Sequence, residues 1–65
     1  MKKYYTVAFF DNGQWHVDFG DYDKEVVKQE IEDSYSDYKT KIITTTKGHN
    51  ELMEKLAQLN KGASK

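Results

Sequence analysis

The tripeptide Asp11-Asn12-Gly13 lies between two segments rich in aromatic and β-branched residues, and this arrangement constrains the fold more than any other feature of the chain. The two segments are residues 4–10 and 15–19. Aromatic and β-branched side chains favour strands, and Asn-Gly between two such runs is a strong signal for a tight turn. The sequence therefore predicts a β-hairpin over residues 4–19.

Two registers of this hairpin are open, and they bury opposite faces because a slip of one residue turns every side chain over. A two-residue loop pairs Phe10 with Trp15, whereas a three-residue loop with Gly13 left-handed pairs Phe9 with Trp15. The three-residue loop separates apolar from polar side chains better, so we expect it. The expected inner face is Tyr5, Val7, Phe9, Trp15, Val17 and Phe19. The expected outer face is Tyr4, Thr6, Ala8, Phe10, Gln14, His16 and Asp18.

The rest of the chain predicts a helix, a strand and a second helix. Asp21 or Asp23 can cap a helix that runs to about Tyr35, because aspartate accepts hydrogen bonds from the first free amides of a helix. Its inward stripe is Val27, Ile31 and Tyr35, with Val26 beside it. Residues 41–46 are dense in β-branching and predict a third strand. Asn50 can cap a second helix over about 51–60, with Leu52, Met53, Leu56 and Leu59 on its apolar face.

These elements predict an α+β fold in the order β-β-α-β-α. We expect a three-stranded antiparallel sheet with strand order 2-1-3 and both helices packed on one face, which leaves the other sheet face open. With 65 residues the chain has room for one domain, residues 1–65, ordered over about 3–61. It has no cysteine, which favours an intracellular protein, and no apolar run long enough to span a membrane. We expect a cytoplasmic location.

The near-neutral net charge of −1 conceals an uneven distribution. Residues 18–37 contain eight acidic residues and two lysines, while the remainder of the chain is basic. All ten basic residues are lysine, so the bidentate fork with which arginine reads phosphates and guanines is missing. This composition makes a nucleic-acid partner less favoured than a protein partner.

The sequence contains no arrangement that predicts catalysis. His16 and Asp18 lie two apart on one strand face without a nucleophile beside them, so we interpret them as surface polar residues. The acidic residues from Asp18 to Glu25 do not follow the spacing of a calcium-binding loop, and they are typical of the capped start of a helix. We therefore expect no enzyme, no metal and no cofactor.

Two surfaces are candidates for binding. The first is the open sheet face, on which we single out Tyr4, Thr6, Phe10 and His16, because exposed aromatic residues on a sheet contact protein partners or stack on single-stranded bases. The second is the acidic side of the first helix, Glu25, Glu32 and Asp33, which suits a basic partner.

Residues 4–15, followed by Phe19-Gly20-Asp21-Tyr22-Asp23, resemble small uncharacterised proteins of tailed bacteriophages and prophages. The resemblance covers about the first half of the chain and implies an accessory phage protein made in the bacterial cytoplasm. Together with the two surfaces, it leads us to expect a non-catalytic module that binds another protein, for which a host factor or a second copy of the chain are candidates. The alternative is a nucleic-acid-binding regulator that uses the open sheet face.

Overall fold

The computed structural model describes residues 2–63 and contains three strands and two helices. The order of the elements is β1 (Tyr4–Asp11), β2 (Gln14–Asp21), α1 (Lys24–Ser34), β3 (Lys39–Thr45) and α2 (His49–Ala63). The strands form one antiparallel sheet in the order β2-β1-β3. The predicted α+β class, element order and strand order are confirmed. Met1, Ser64 and Lys65, which the predicted domain includes, lie outside the described residues.

The hairpin has the register that we did not expect. Phe10 pairs with Trp15 and Phe9 pairs with His16, so the loop consists of Asn12 and Gly13 alone. Both loop residues have positive φ, 54° and 82°, as a tight two-residue hairpin turn of primed type requires. The prediction of a three-residue loop is therefore wrong.

The observed register still buries Phe19 in the core, and a β-bulge in β2 explains how. Ala8 pairs with Val17 but Thr6 pairs with Gly20, so Val7 faces two residues of β2, Asp18 and Phe19. The extra residue brings Phe19 to the side of the sheet occupied by Val7. Trp15 and Val17 precede the bulge and lie on the opposite face, because the register of the two-residue loop pairs them with Phe10 and Ala8.

The two helices cover opposite faces of the sheet, and the prediction that both lie on one face is wrong. Val7 and Ala8 are neighbours in an evenly paired strand and point to opposite faces, yet both are fully buried. The first face packs against α1 in a cluster formed by Val7, Val27 and Tyr35 with Tyr5, Phe9, Phe19, Ile31 and Ile42 around it. The second face buries Thr6, Ala8, Ile43 and Thr45 beneath α2, which contacts β2 and β3.

The observed boundaries of α1 agree with those predicted from the sequence, whereas α2 is longer at both ends than the predicted 51–60. Of the two aspartates predicted as possible caps of α1, Asp23 is the one that caps it. Its side chain accepts a hydrogen bond from the Glu25 amide at 2.9 Å. Asp21 supports the same turn by accepting from the Asp23 amide at 2.8 Å. The helix α2 already begins at His49, so Asn50 lies inside it and is not its cap.

Candidate functional site

The open sheet face predicted as a binding surface is covered by α2. Thr6 is only 3% exposed, and Tyr4 and Phe10 are half-buried. His16 lies on the other face, where its ring is 5.4 Å from that of Phe9. The sheet therefore does not present these four residues as one surface, because Tyr4 and Phe10 are also six residues, about 20 Å, apart along β1.

A groove remains between α2 and one end of the sheet, and we call it the α2 groove. Its volume is about 760 Å³, within the range of small-ligand sites. The sheet contributes Tyr4, Thr6, Val17, Asp18, Gly20 and Thr45 to its lining. The remaining lining residues are Lys2, Tyr22, Thr46, Lys47, Gly48, His49, Leu52 and Met53. The structure thus brings Tyr4 and Thr6 together in one site and leaves Phe10 and His16 outside it.

An aromatic pair forms one end of the α2 groove. The rings of Tyr4 and Tyr22 meet edge to face with their centroids 4.8 Å apart. Tyr4 lies close over Gly20, so a β-carbon at Gly20 would lie 2.6 Å from the Tyr4 hydroxyl oxygen and 2.7–2.9 Å from two ring carbons. Gly20 therefore makes room for the Tyr4 ring, while Tyr22 remains 64% exposed at the rim.

The hydroxyl of Thr6 is buried without a hydrogen-bond partner among residues 2–63. A buried hydroxyl that loses its hydrogen bonds to water costs roughly 1–3 kcal/mol. The neighbouring buried threonine differs, because the Thr45 hydroxyl is within 3.5 Å of the Tyr4 carbonyl oxygen, to which it donates. Thr6 is thus the less satisfied of the two threonines that line the α2 groove.

The carboxylate of Glu51, in the first turn of α2, accepts hydrogen bonds from the backbone just before the helix. The Glu51 carboxylate accepts hydrogen bonds from the amides of Thr46 at 2.8 Å and Lys47 at 2.9 Å. These two bonds hold the pKa of Glu51 below its ordinary value, because they favour the charged carboxylate. The turn that borders the α2 groove is therefore closed by a side chain of the helix itself.

On the opposite face, Tyr35 fixes the β-bulge. Its hydroxyl donates to the Asp18 carboxylate at 2.6 Å, and Asp18 is one of the two bulge residues. Burial is the main reason that the pKa of Tyr35 is raised to about 12, and the hydrogen bond and negative charge of Asp18 add to it. The Asp18 carboxylate thus pairs with a tyrosine, while His16 Nε2 lies 3.2 Å from the Asp11 carbonyl oxygen.

The acidic side of α1 is exposed as predicted. We call Glu25, Glu32 and Asp33 the acidic face; all three are exposed and lie on the side of the helix opposite the buried Val27. The Glu25 carboxylate is 3.6 Å from Lys28 Nζ, and the Asp33 carboxylate accepts from the side-chain Nε2 of Gln29 at 3.2 Å. These contacts are weak surface contacts, so the face keeps its negative charge toward solvent.

Sequence reasoning did not find the α2 groove because it assigned Leu52 and Met53 entirely to the core. Two adjacent apolar residues on a helix cannot both point to the centre of one face, since successive residues are rotated by about 100°. Met53 is indeed 36% exposed at the groove. The adjacent apolar residues Leu52 and Met53 are therefore the sequence feature that could have indicated the α2 groove.

Within residues 2–63 the structure shows no group of three or more histidine or acidic side chains placed to hold a metal ion. In the same part of the chain, neither helix has the length and apolarity needed to cross a bilayer. Comparison of the chain with protein-family models, with curated proteins and with solved structures found no match.

Proposed function

We propose that this protein is a non-catalytic accessory module that binds a basic surface of another protein through its acidic face. The observation that supports the proposal is the exposed, acidic side of α1 on a helix whose other side is anchored in the core. The resemblance of residues 4–15 and 19–23 to small tailed-phage proteins supports an accessory role in the bacterial cytoplasm, with a host protein as the partner.

The acidic face is held in a fixed position. Val27 is fully buried against the sheet, the Asp23 side chain caps the start of α1, and Tyr35 joins its end to β2. Binding costs less free energy when the contacting side chains project from a rigid element, because less motion is lost on association. The anchoring of α1 therefore suits a docking surface.

An apolar side chain lies beside the acidic face. Val26 is 41% exposed and lies seven residues, almost two turns, before Asp33, so both project from the same side of α1. Protein interfaces commonly combine an aromatic or apolar contact with surrounding charges, which direct the approach and orientation of the partner.

The experiment is a capture from bacterial lysate with the tagged protein, followed by purification of each captured protein and direct titration. The variant Glu25→Lys/Glu32→Lys reverses two charges of the acidic face. The matched control is Glu54→Lys, which reverses an exposed charge on α2. We expect a partner that binds the wild type and the control, is lost by the α1 variant, and is released at 1 M salt, where the Debye length is about 3 Å.

Two results would contradict the proposal. Binding of every captured protein to the Glu25→Lys/Glu32→Lys variant with unchanged affinity would remove the acidic face as the contact surface. Loss of all capture after nuclease treatment, together with direct binding of single-stranded DNA or RNA by the purified protein, would support the nucleic-acid alternative in its place. The second result requires a different surface from the predicted one, because α2 covers that sheet face.

A further inference from the structure

We propose that the side of β3 turned away from β1, which we call the β3 edge, binds an acidic peptide segment in extended form. The segment adds to the sheet as a fourth strand. Within the described residues β3 pairs with β1 alone, so its other side carries main-chain groups to which a further strand can bond. This surface is separate from the acidic face and does not depend on the partner proposed for that face.

The outward main-chain groups of the β3 edge belong to Thr40, Ile42 and Thr44. In an antiparallel pair, the N–H and C=O groups of successive residues point alternately toward the partner strand and away from it. The Thr44 carbonyl oxygen accepts from Lys55 Nζ at 2.6 Å, so Thr44 points away from β1, and Thr40 and Ile42 share its direction. No side chain within residues 2–63 bonds to these groups of Thr40 or Ile42. Two donors and two acceptors are therefore open to an added strand.

The opposite edge of the sheet, on β2, is less suited to an added strand. Asn60 bonds to both the amide and the carbonyl oxygen of Trp15, and the bulge at Asp18-Phe19 interrupts the even spacing of the strand. In contrast, β3 pairs with β1 residue by residue over its whole length and has no bulge. This regular spacing makes the β3 edge the one that a further strand can extend.

A groove of about 420 Å³ between β3 and α2 lies beside the β3 edge. Ile43 and Leu59 give it apolar walls, and Lys41 and Lys55 give it positive charge. Its lining contains no acidic side chain from residues 2–63. Since side chains alternate between the two faces of a strand, every second residue of the added segment faces this groove. An apolar residue with an acidic residue two positions away on each side therefore matches the groove.

The lysines of β3 favour an acidic segment over a second copy of the chain. Lys39 and Lys41 are exposed, and two β3 edges placed side by side would bring these like charges together. Acidic side chains on the added strand reverse that effect, because opposite charges on neighbouring strands attract. Lys41 Nζ lies 5.3 Å from the centre of the Trp15 ring and can leave this exposed contact for a carboxylate. Lys55 is already 3.4 Å from the Glu51 carboxylate, so we assign the selection to Lys39 and Lys41.

The probe is the peptide acetyl-Thr-Glu-Thr-Val-Thr-Glu-Thr-amide, and NMR follows the amide protons of Thr40 and Ile42. When the peptide adds antiparallel to β3, its valine and glutamates lie on the side of the groove and its threonines bond to the β3 main chain. We expect saturable shifts of both amide protons and slower hydrogen exchange at both positions. The fluorescence of Trp15, the single tryptophan, should change as Lys41 leaves its ring.

Two control peptides separate main-chain pairing from charge. The first carries N-methyl groups on the two threonines that flank the valine, which removes two main-chain donors. It should bind about tenfold more weakly, the factor expected for two neutral hydrogen bonds. The second has lysine in place of both glutamates and should give no saturable shift. Binding of the probe itself should weaken at 1 M salt, where the Debye length is about 3 Å.

Variants of the protein place the binding on the β3 edge. Thr40→Pro removes an outward N–H and keeps the bonds to β1, a change that edge strands tolerate, and it should weaken binding about tenfold. The matched control Thr40→Val keeps the N–H and should bind the probe as the wild type does. Lys41→Gln should weaken binding about two- to fivefold, the factor for an exposed ion pair, and this difference should vanish at 1 M salt.

The proposal is overturned if the probe gives no saturable shift at Thr40 and Ile42. It is equally overturned if the N-methylated peptide or the lysine peptide binds as tightly as the probe. Protection of these two amides that rises with protein concentration in the absence of peptide would show that a second copy occupies the β3 edge instead. All these outcomes use the wild-type protein, so they decide the question even if Thr40→Pro does not fold.

Discussion

The side-chain amide of Asn60 forms two hydrogen bonds with the main chain of Trp15. Oδ1 of Asn60 accepts from the Trp15 amide at 2.6 Å, and Nδ2 donates to the Trp15 carbonyl oxygen at 3.2 Å. Trp15 lies on β2, an edge strand of the sheet. Asn60 therefore bonds to the edge in the way a neighbouring strand would, and it joins the last part of α2 to the hairpin.

Replacement of Asn60 by alanine should lower the free energy of unfolding by about 1–3 kcal/mol, because a part-buried amide and carbonyl lose their partners. Hydrogen exchange of the Trp15 amide should accelerate at the same time. Asn60→Asp should have an intermediate effect, since it keeps the acceptor and loses the donor. Gln58→Ala, at an exposed position of α2, is the control. Equal unfolding curves for Asn60→Ala and Gln58→Ala would show that the two bonds do not hold α2 to the sheet.

The raised pKa of Tyr35 makes stability depend on pH in the alkaline range. The pKa is about 12 in the folded protein against 10.0 for an ordinary tyrosine. Between these values the unfolded chain releases the proton while the folded chain keeps it, so the stabilisation is complete below pH 10 and falls as the pH rises to about 12. Tyr35→Phe should lose this contribution at all pH values.

The measurement is urea unfolding of wild type and Tyr35→Phe at several pH values, compared as a difference so that other tyrosines and lysines cancel. The difference in stability should be constant at neutral pH and shrink above pH 10. Tyr38→Phe, a replacement at an exposed tyrosine, serves as the control. A difference that stays constant up to pH 12 would contradict the buried hydrogen bond to Asp18.

Gly20 should resist replacement by alanine. The β-carbon of an alanine would lie 2.6–2.9 Å from the hydroxyl oxygen and two ring carbons of Tyr4, so the Tyr4 ring, which packs on Tyr22, must shift. Overpacking of this kind costs about 1–3 kcal/mol. Gly62→Ala is the matched control, because within residues 2–63 no atom from another part of the chain lies within 4 Å of its β-carbon position. Thermal unfolding should show a lower melting temperature for Gly20→Ala alone; equal melting temperatures would mean that the Tyr4 ring adapts without cost.

The sequence predicts those parts of the fold that depend on local chemistry. A turn within residues 11–13, an aspartate cap at the start of α1 and the inward positions Val27, Ile31 and Tyr35 each follow from a few adjacent residues, and the structure confirms them. The third strand also forms, and it begins two residues earlier than predicted, at Lys39.

The hairpin register and the placement of α2 depend on contacts between distant residues, which a local pattern does not contain. The expected register assumes that one sheet face stays in water. Because α2 covers that face, Trp15 and Val17 can be buried there, and the two-residue turn no longer places apolar residues in solvent. The bulge at Asp18-Phe19, fixed by Tyr35 from seventeen residues away in sequence, then restores Phe19 to the core. The α2 groove follows from the same arrangement and was missed for the same reason.

Lys55 protects β3, the edge strand on the opposite side of the sheet from β2. In the described part of the chain β3 pairs only with β1, and its outer side is a potential site for pairing with a second chain. Nζ of Lys55 donates to the Thr44 carbonyl oxygen at 2.6 Å and lies 3.4 Å from the Glu51 carboxylate. The lysine thus occupies one backbone acceptor of the edge and places a charge beside it.

Lys55→Met should therefore promote self-association, because methionine keeps the apolar stem but leaves the Thr44 carbonyl and the β-branched edge accessible. The mass in solution, measured by sedimentation over a wide concentration range, should rise with concentration more steeply than that of the wild type. Lys3→Met, at another exposed lysine, makes the same change in charge and composition away from the edge. If both variants show the same mass at every concentration, Lys55 does not guard the edge, and the charge of Lys39 and Lys41 on β3 is sufficient to prevent pairing.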